Sequence, residues 1–155
     1  MIDSRRVKYI FTAAFISCLL LLVQSCRLSV KPEYIAGDTQ LAEQEIEKFH
    51  GRFNSGNFET IWNQSAPGLQ KVVSKKDFIT FLNNGHEECG DFKGIIDKRV
   101  NVIVGPSVQV RAIYNSQFDK VVLTEIFVFM KTGDKIRLAE YTIARGPSKL
   151  PNIGQ

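Results

Sequence analysis

The feature that most constrains the fold is a change of hydrophobic period at Gly90. Before Gly90, apolar residues recur three or four positions apart, and after it they alternate or form continuous runs. The first spacing places side chains on one face of an α-helix, whereas alternation is typical of a half-buried strand. Helices followed by strands predict an α+β domain, in which N-terminal helices pack on a curved antiparallel sheet of three to four strands.

The part before Gly90 predicts three helices. The first follows a cap at Asp38 or Thr39 and ends at Gly56. Its apolar stripe comprises Ala42, Ile46, Phe49 and Phe53. A short second helix covers residues 58–63, before a break at residues 65–68, and the third begins after Ser74 and stops at Gly85.

The part after Gly90 predicts four strands joined by tight turns. They cover residues 92–104, 108–118, 121–131 and 136–144. Thr132, Gly133 and Asp134 form the last turn, and either Thr132 or Lys131 pairs with Lys135. The third strand is apolar on both faces, so its sequence leaves open which face looks inward.

The N-terminus has the order of a secretory signal peptide. A basic stretch ending at Lys8 precedes an apolar run over residues 9–23. A membrane-spanning helix needs about 20 apolar residues, so this run of 15 favours a cleaved signal over an uncleaved anchor. The predicted organisation is a signal peptide over residues 1–25, a lipidated tether over 26–38, the α+β domain over 39–146 and a tail over 147–155.

The end of the apolar run, Leu22-Val23-Gln24-Ser25-Cys26, resembles the lipobox of bacterial lipoproteins. The resemblance implies that the Cys26 thiol receives a diacylglycerol and that a peptidase then cuts before it. Cys18 is the competing cysteine, but cleavage there leaves a much shorter apolar segment. Arg27 follows Cys26 where inner-membrane lipoproteins of Gram-negative cells carry aspartate, which implies the periplasmic face of the outer membrane.

The net charge and the numbers of histidines and cysteines argue against several classes of function. The segment before Cys26 holds three basic residues and one acidic residue, and so carries +2 of the formal net charge of +4. The remainder has no dense Lys/Arg patch, which argues against nucleic-acid binding. Two histidines and three cysteines, without metal-ligand spacing, predict no metal and no cofactor. Cys89, between Glu88 and Gly90, is expected to be a half-buried residue at a turn rather than a catalytic thiol.

Two segments of the domain contain distinctive turn and packing motifs. The first, residues 42–82, contains Gly-Asn-Phe, Ser-Ala-Pro-Gly and Val-Ser-Lys-Lys-Asp-Phe. The second, residues 114–143, contains Tyr-x-x-x-Phe, a Glu-containing strand and a Gly-Asp turn. Together they resemble a group of uncharacterised secreted bacterial domains of the cystatin-like and nuclear-transport-factor-two-like superfamily. Ile136 and Glu140 depart from the family, which carries an aromatic and a small residue there. The resemblance implies a sheet that wraps the first helix and an open cavity at one end.

Candidate binding residues follow from the cavity that the resemblance implies. They are Trp62, Tyr114, Glu125, Phe127 and Tyr141. A carboxylate in such a cavity has a raised pKa and acts as an acid or base, yet Glu125 and Glu140 are expected to face solvent or to pair with a neighbouring Lys or Arg. His50 is expected at the surface or boundary of the first helix. No catalytic set is assigned.

The sequence therefore predicts a lipid-anchored binding module. Its partner is a small apolar ligand or another envelope protein, and a homodimer through the apolar third strand is the simplest cover for that strand. One alternative is a small-pocket enzyme that uses Glu125 or Tyr141. The other is an inhibitor-like factor that binds one protein.

Overall fold

The architecture is a layer of helices on a four-stranded sheet. The computed structural model describes residues 32–147, with side chains from residue 36, so the predicted signal peptide, Cys26 and the tail beyond residue 147 lie outside it. The helices are α1 (Pro32–Asn54), α2 (Phe58–Gln64), α3 (Pro67–Val72) and α4 (Lys75–Cys89). The strands are β1 (Phe92–Val104), β2 (Val108–Phe118), β3 (Val122–Thr132) and β4 (Lys135–Arg145). This confirms the α+β class.

Helix α1 begins at Pro32, so the prediction of a cap at Asp38 or Thr39 was wrong, and residues 32–38 of the predicted tether are helical. Proline fits the first helical turn because its missing N–H has no partner there in any case. Asp38 lies in the second turn of the helix, and its side chain is buried. Its Oδ1 accepts a hydrogen bond from Lys131 Nζ on β3 at 2.5 Å.

Two differences concern the helices after α1. Helix α3 was not predicted, and its first two residues, Pro67 and Gly68, lie in the predicted break at residues 65–68. Helix α4 starts as predicted, because Ser74 Oγ accepts a hydrogen bond from the Asp77 backbone N–H at 3.1 Å. It then continues through Gly85 to Cys89, because burial of Leu82 and Cys89 outweighs the helix penalty of about 1 kcal/mol for a glycine.

The sheet is an antiparallel meander in the order β1-β2-β3-β4. Thr132 pairs with Lys135, which settles the last hairpin as a two-residue turn. Gly133, its first turn residue, has a φ of 62° and Asp134 does not share the positive φ, as in a type II′ turn. Bulges interrupt the pairing of β1 with β2 and of β3 with β4. Bulges bend a strand and increase its twist.

The core lies between the helices and one face of the sheet. The predicted stripe of α1 is confirmed, since Ala42, Ile46, Phe49 and Phe53 are all buried. The facing strand β3 contributes Leu123, Glu125, Phe127 and Phe129, which are buried as well. On the opposite face of β3, Thr124 is buried, and the apolar residues Val122, Ile126, Val128 and Met130 are half-buried. Helix α1 is tied to β1 by Asn54, whose Nδ2 donates to the Phe92 carbonyl at 2.9 Å and whose Oδ1 accepts from the Phe92 N–H at 2.8 Å.

Gly90 joins α4 to β1 in a conformation that only glycine adopts readily, with φ 76° and ψ −163°. A Cβ placed there lies 2.6 Å from the Cβ of Asp119. We expect Gly90→Ala to lower the free energy of unfolding by about 2–4 kcal/mol, through backbone strain and this clash. Gly56→Ala is the matched control, because Gly56 also has a positive φ (68°) but open space around its Cβ. Urea unfolding of both variants tests this, and equal losses would contradict the clash.

Candidate ligand-binding groove

A groove of about 600 Å³ runs along the domain between α1 and the strands β1 and β2. Its volume is in the range of small-molecule sites, about 300–1,000 Å³. The lining comprises Gln40, Glu43, Gln44, Ile46, Glu47, His50, Gly51 and Asn54 of α1, Phe92, Ile95 and Lys98 of β1, and Tyr114 of β2. Most of these side chains are polar, while Ile46, Phe92 and Ile95 supply apolar contact. The groove therefore suits a ligand with an apolar body and hydrogen-bonding groups.

His50 forms part of the groove wall and is held by two neighbours. Its imidazole stacks on the Phe92 ring, with centroids 3.7 Å apart and planes inclined by 3°. Its Nε2 lies 2.9 Å from Oε2 of Glu125 on β3. A carboxylate only accepts hydrogen bonds, so His50 donates through Nε2–H, and in the neutral imidazole the lone pair is then on Nδ1. Within residues 36–147 no hydrogen bond to Nδ1 is present.

Glu125 is fully buried behind His50, with no exposed surface. Its second oxygen, Oε1, accepts a hydrogen bond from the Tyr141 hydroxyl at 2.7 Å. Both carboxylate oxygens are therefore occupied from opposite sides. Burial raises the pKa of Tyr141 well above its ordinary value, and the adjacent Glu125 raises it further. Tyr141 thus stays a hydrogen-bond donor at neutral pH.

Tyr114 lies on the strand next to Glu125 and also lines the groove. Within residues 36–147, its hydroxyl has no hydrogen-bond partner. Burial raises the pKa of Tyr114 to about 12, and Glu43 and Glu125 contribute in the same direction. The Glu43 carboxylate is itself paired with Lys98 at 2.7 Å across the groove. Tyr114 and His50 therefore offer a donor and an acceptor to a ligand in the same groove.

The predicted site residues do not form one pocket. Trp62 and Phe127 are buried in the core, where Trp62 packs on Phe78 and Phe127 on Phe49. Of the five, only Tyr114 lines the groove beside α1. The expectation that Glu125 faces solvent or pairs with a neighbouring Lys or Arg was wrong, because Glu125 lies on the helix-facing side of β3 and its carboxylate contacts His50 and Tyr141. Glu140 is exposed, as expected.

Tyr141 borders a second depression on the other side of the domain. This depression has a volume of about 450 Å³, and its lining is mainly apolar. Leu69, Val72 and Val73 contribute from α3 and the residue after it, and Phe78 and Phe81 contribute from α4. Few polar groups line this depression, so it offers apolar contact area but few hydrogen-bonding groups to orient a ligand.

Cys89 is buried at the end of α4. Its burial raises the pKa of its thiol, and the neighbouring Glu88 raises it further.

His50 is the residue that sequence reasoning misplaced. It was expected at the surface or boundary of α1, yet only 3% of it is exposed. A signal is visible in the spacing, because His50 follows Ala42 and Ile46 at intervals of four and so continues a buried row. A polar side chain in such a row needs a buried partner. The sequence does not show that the partner is Glu125.

The raised pKa values predict an alkaline loss of stability. Between pH 10 and 12 the unfolded chain releases the Tyr114 proton while the folded chain keeps it, so the free energy of unfolding falls as pH rises. A shift from 10.0 to about 12 corresponds to at most about 2.7 kcal/mol. We expect Tyr114→Phe to reduce this loss, as measured by urea unfolding at pH 9, 10.5 and 12. An unchanged slope would contradict the assignment.

Comparisons with known proteins identified no relative of this chain. No protein-family model, no curated protein and no solved structure matches the chain. Among the side chains described in residues 36–147, no group of three or more His, Cys, Asp or Glu residues is placed to hold a metal ion. None of the helices between residues 32 and 147 combines the length and hydropathy that crossing a bilayer requires.

Proposed function

We propose that this chain is a lipid-anchored envelope protein whose domain binds a small ligand in the groove between α1 and β1–β2. The observation that carries the proposal is His50, a buried histidine that lines the groove and is oriented through Nε2 by Glu125. We infer that its other ring nitrogen, Nδ1, bonds to the ligand. The ligand has an apolar part against Ile46 and Phe92 and a polar group that bonds to His50 or Tyr114.

The burial of Glu125 supports binding more than catalysis through this carboxylate. An acid or base must come within hydrogen-bond reach of the proton it transfers. Both oxygens of Glu125 are engaged by His50 and Tyr141, and Glu125 is not among the residues that line the groove. Its role in the proposal is to position the histidine.

We also propose the superfamily of the domain and its location in the cell envelope. A long first helix followed by a four-stranded antiparallel meander supports membership of the cystatin-like and nuclear-transport-factor-two-like superfamily. The lipobox-like residues before Cys26 support a lipid anchor and the periplasmic face of the outer membrane. A homodimer through the half-buried outer face of β3 is compatible with an open groove.

Native mass spectrometry tests the ligand. The full chain is produced with its own leader in a Gram-negative host and purified in a mild detergent that is removed in the gas phase. We expect a reproducible small mass in addition to the protein and its acyl chains. A spectrum that shows only the acylated protein, as monomer or dimer, would contradict ligand binding and favour a protein partner.

Lipidation is tested at the two competing cysteines. We expect Cys26→Ser to abolish both incorporation of radiolabelled palmitate and removal of the leader, because the peptidase cuts after Cys26 is acylated. Cys18→Ser, the control, is expected to leave both unchanged. Loss of label in Cys18→Ser with retention in Cys26→Ser would overturn the assignment of Cys26.

A further inference from the structure

The end of the sheet at which α1 begins carries two exposed aliphatic side chains. Ile103 and Val104, at the end of β1, are 50% and 43% exposed. The turn that follows them stands beside the turn between β3 and β4, because β1–β2 and β3–β4 are neighbouring hairpins of one meander. We call these two turns and the strand ends that flank them the hairpin end.

The start of α1 reaches the same end of the sheet. Asn54, the last residue of α1, bonds to Phe92 at the start of β1, and Glu43 bonds to Lys98 farther along β1. Helix and strand therefore run in opposite directions. With about 1.5 Å per helical residue and about 3.3 Å per strand residue, Pro32 is level with the last residues of β1. The Lys131–Asp38 ion pair joins the start of α1 to the other hairpin.

The proposed anchor leaves little chain between the lipid and this end. If Cys26 is acylated, as proposed above, only residues 27–31 separate it from α1. The six Cα–Cα steps from Cys26 to Pro32 span at most about 22 Å, whatever their conformation. The start of α1, and with it the hairpin end, is therefore confined to within about 22 Å of the acylated cysteine, whereas the tether of residues 26–38 expected from the sequence would have reached about twice as far.

From this confinement we infer that the hairpin end docks on the lipid surface, with Ile103 and Val104 in the interface. Exposed aliphatic residues held against headgroups partition into them. Lys135 and Arg137, exposed at the β3–β4 hairpin, make no ion pair within residues 36–147, and Asp134 is the neighbouring acid. Basic side chains at this end favour an anionic leaflet.

Depth-dependent quenching tests the docking. A bimane label is placed on Ile103→Cys or, as the matched control, on Ile96→Cys, which is 59% exposed on the same strand about 23 Å away. The other cysteines do not interfere, since Cys89 is buried, Cys26 is acylated and Cys18 is removed with the signal peptide. The acylated chain is reconstituted in phosphatidylethanolamine–phosphatidylglycerol vesicles that contain a spin-labelled lipid.

We expect the label at 103 to lose at least about twofold more fluorescence than the label at 96. Equal or no quenching in chains that float with the vesicles would overturn the docking and leave the anchor intact. Chains that do not float with the vesicles would overturn both the anchor and the docking. The ligand groove is tested separately by its mass adduct.

Discussion

Replacing Glu125 by alanine is expected to cost the domain about 3–5 kcal/mol of its free energy of unfolding. The carboxylate is fully buried and accepts hydrogen bonds from His50 Nε2 and the Tyr141 hydroxyl, at 2.9 and 2.7 Å. Truncation leaves both buried donors without a partner and opens a cavity beside Phe127. Each of these three effects is unfavourable, so the sum exceeds that of an ordinary strand substitution.

Glu140→Ala is the control for this loss. Glu140 lies on the adjacent strand, is exposed and makes only a weak hydrogen bond with Thr142 at 3.4 Å. We expect it to change the free energy of unfolding by about 0.5 kcal/mol or less. Urea unfolding followed by Trp62 fluorescence compares the two variants. Similar losses for Glu125→Ala and Glu140→Ala would contradict the buried arrangement.

Glu125→Gln separates the positioning of His50 from stability. The amide can satisfy both His50 and Tyr141 in either of its two orientations, so most of the stability is retained. The imidazole proton is no longer held on Nε2 by a carboxylate, and we expect native mass spectrometry to show a reduced ligand adduct on a folded protein.

The second large effect is expected from Gly51→Leu, which fills the groove without disturbing the fold. Gly51 is exposed on α1, lines the groove, and has no atom within 4 Å of a Cβ built on it. Leucine in place of a helical glycine stabilises a helix by about 1 kcal/mol. We therefore expect a protein at least as stable as the original, with ligand occupancy reduced at least about tenfold.

Gly37→Leu is the matched substitution on the same helix. Gly37 is also exposed with open space around its Cβ, but it does not line the groove. The same gain in helix propensity is expected, with no loss of ligand. Equal occupancy in both variants, by native mass spectrometry, would show that the adduct does not occupy this groove.

Local patterns were enough to predict most of the elements. The stripe on α1 and the four strands follow from hydrophobic period, because burial of one face dictates the spacing of apolar residues. The ends of the helices were harder to predict. Helix α4 passes through Gly85, since tertiary packing overrides the local penalty of a glycine. Helix α1 includes residues 32–38, because Asp38 finds its partner in Lys131, 93 residues away.

The candidate site could not be assembled from the sequence because its parts are distant in the chain. His50 and Glu125 are 75 residues apart, and the facing of β3 decides whether they meet. Strand β3 is apolar on both faces, so its sequence pattern does not show which face points towards the helices. The pairing of Tyr114 with Glu125 and of Phe127 with Tyr141 fixes the inward face only once the sheet is formed.

A crystal structure of the acylated chain with its co-purified ligand tests the central claim most directly. The account predicts ligand density in the groove between α1 and β1–β2, with a polar atom at about 3 Å from Nδ1 of His50. Density in the apolar depression beside Phe81, or a groove that holds only water, would contradict it.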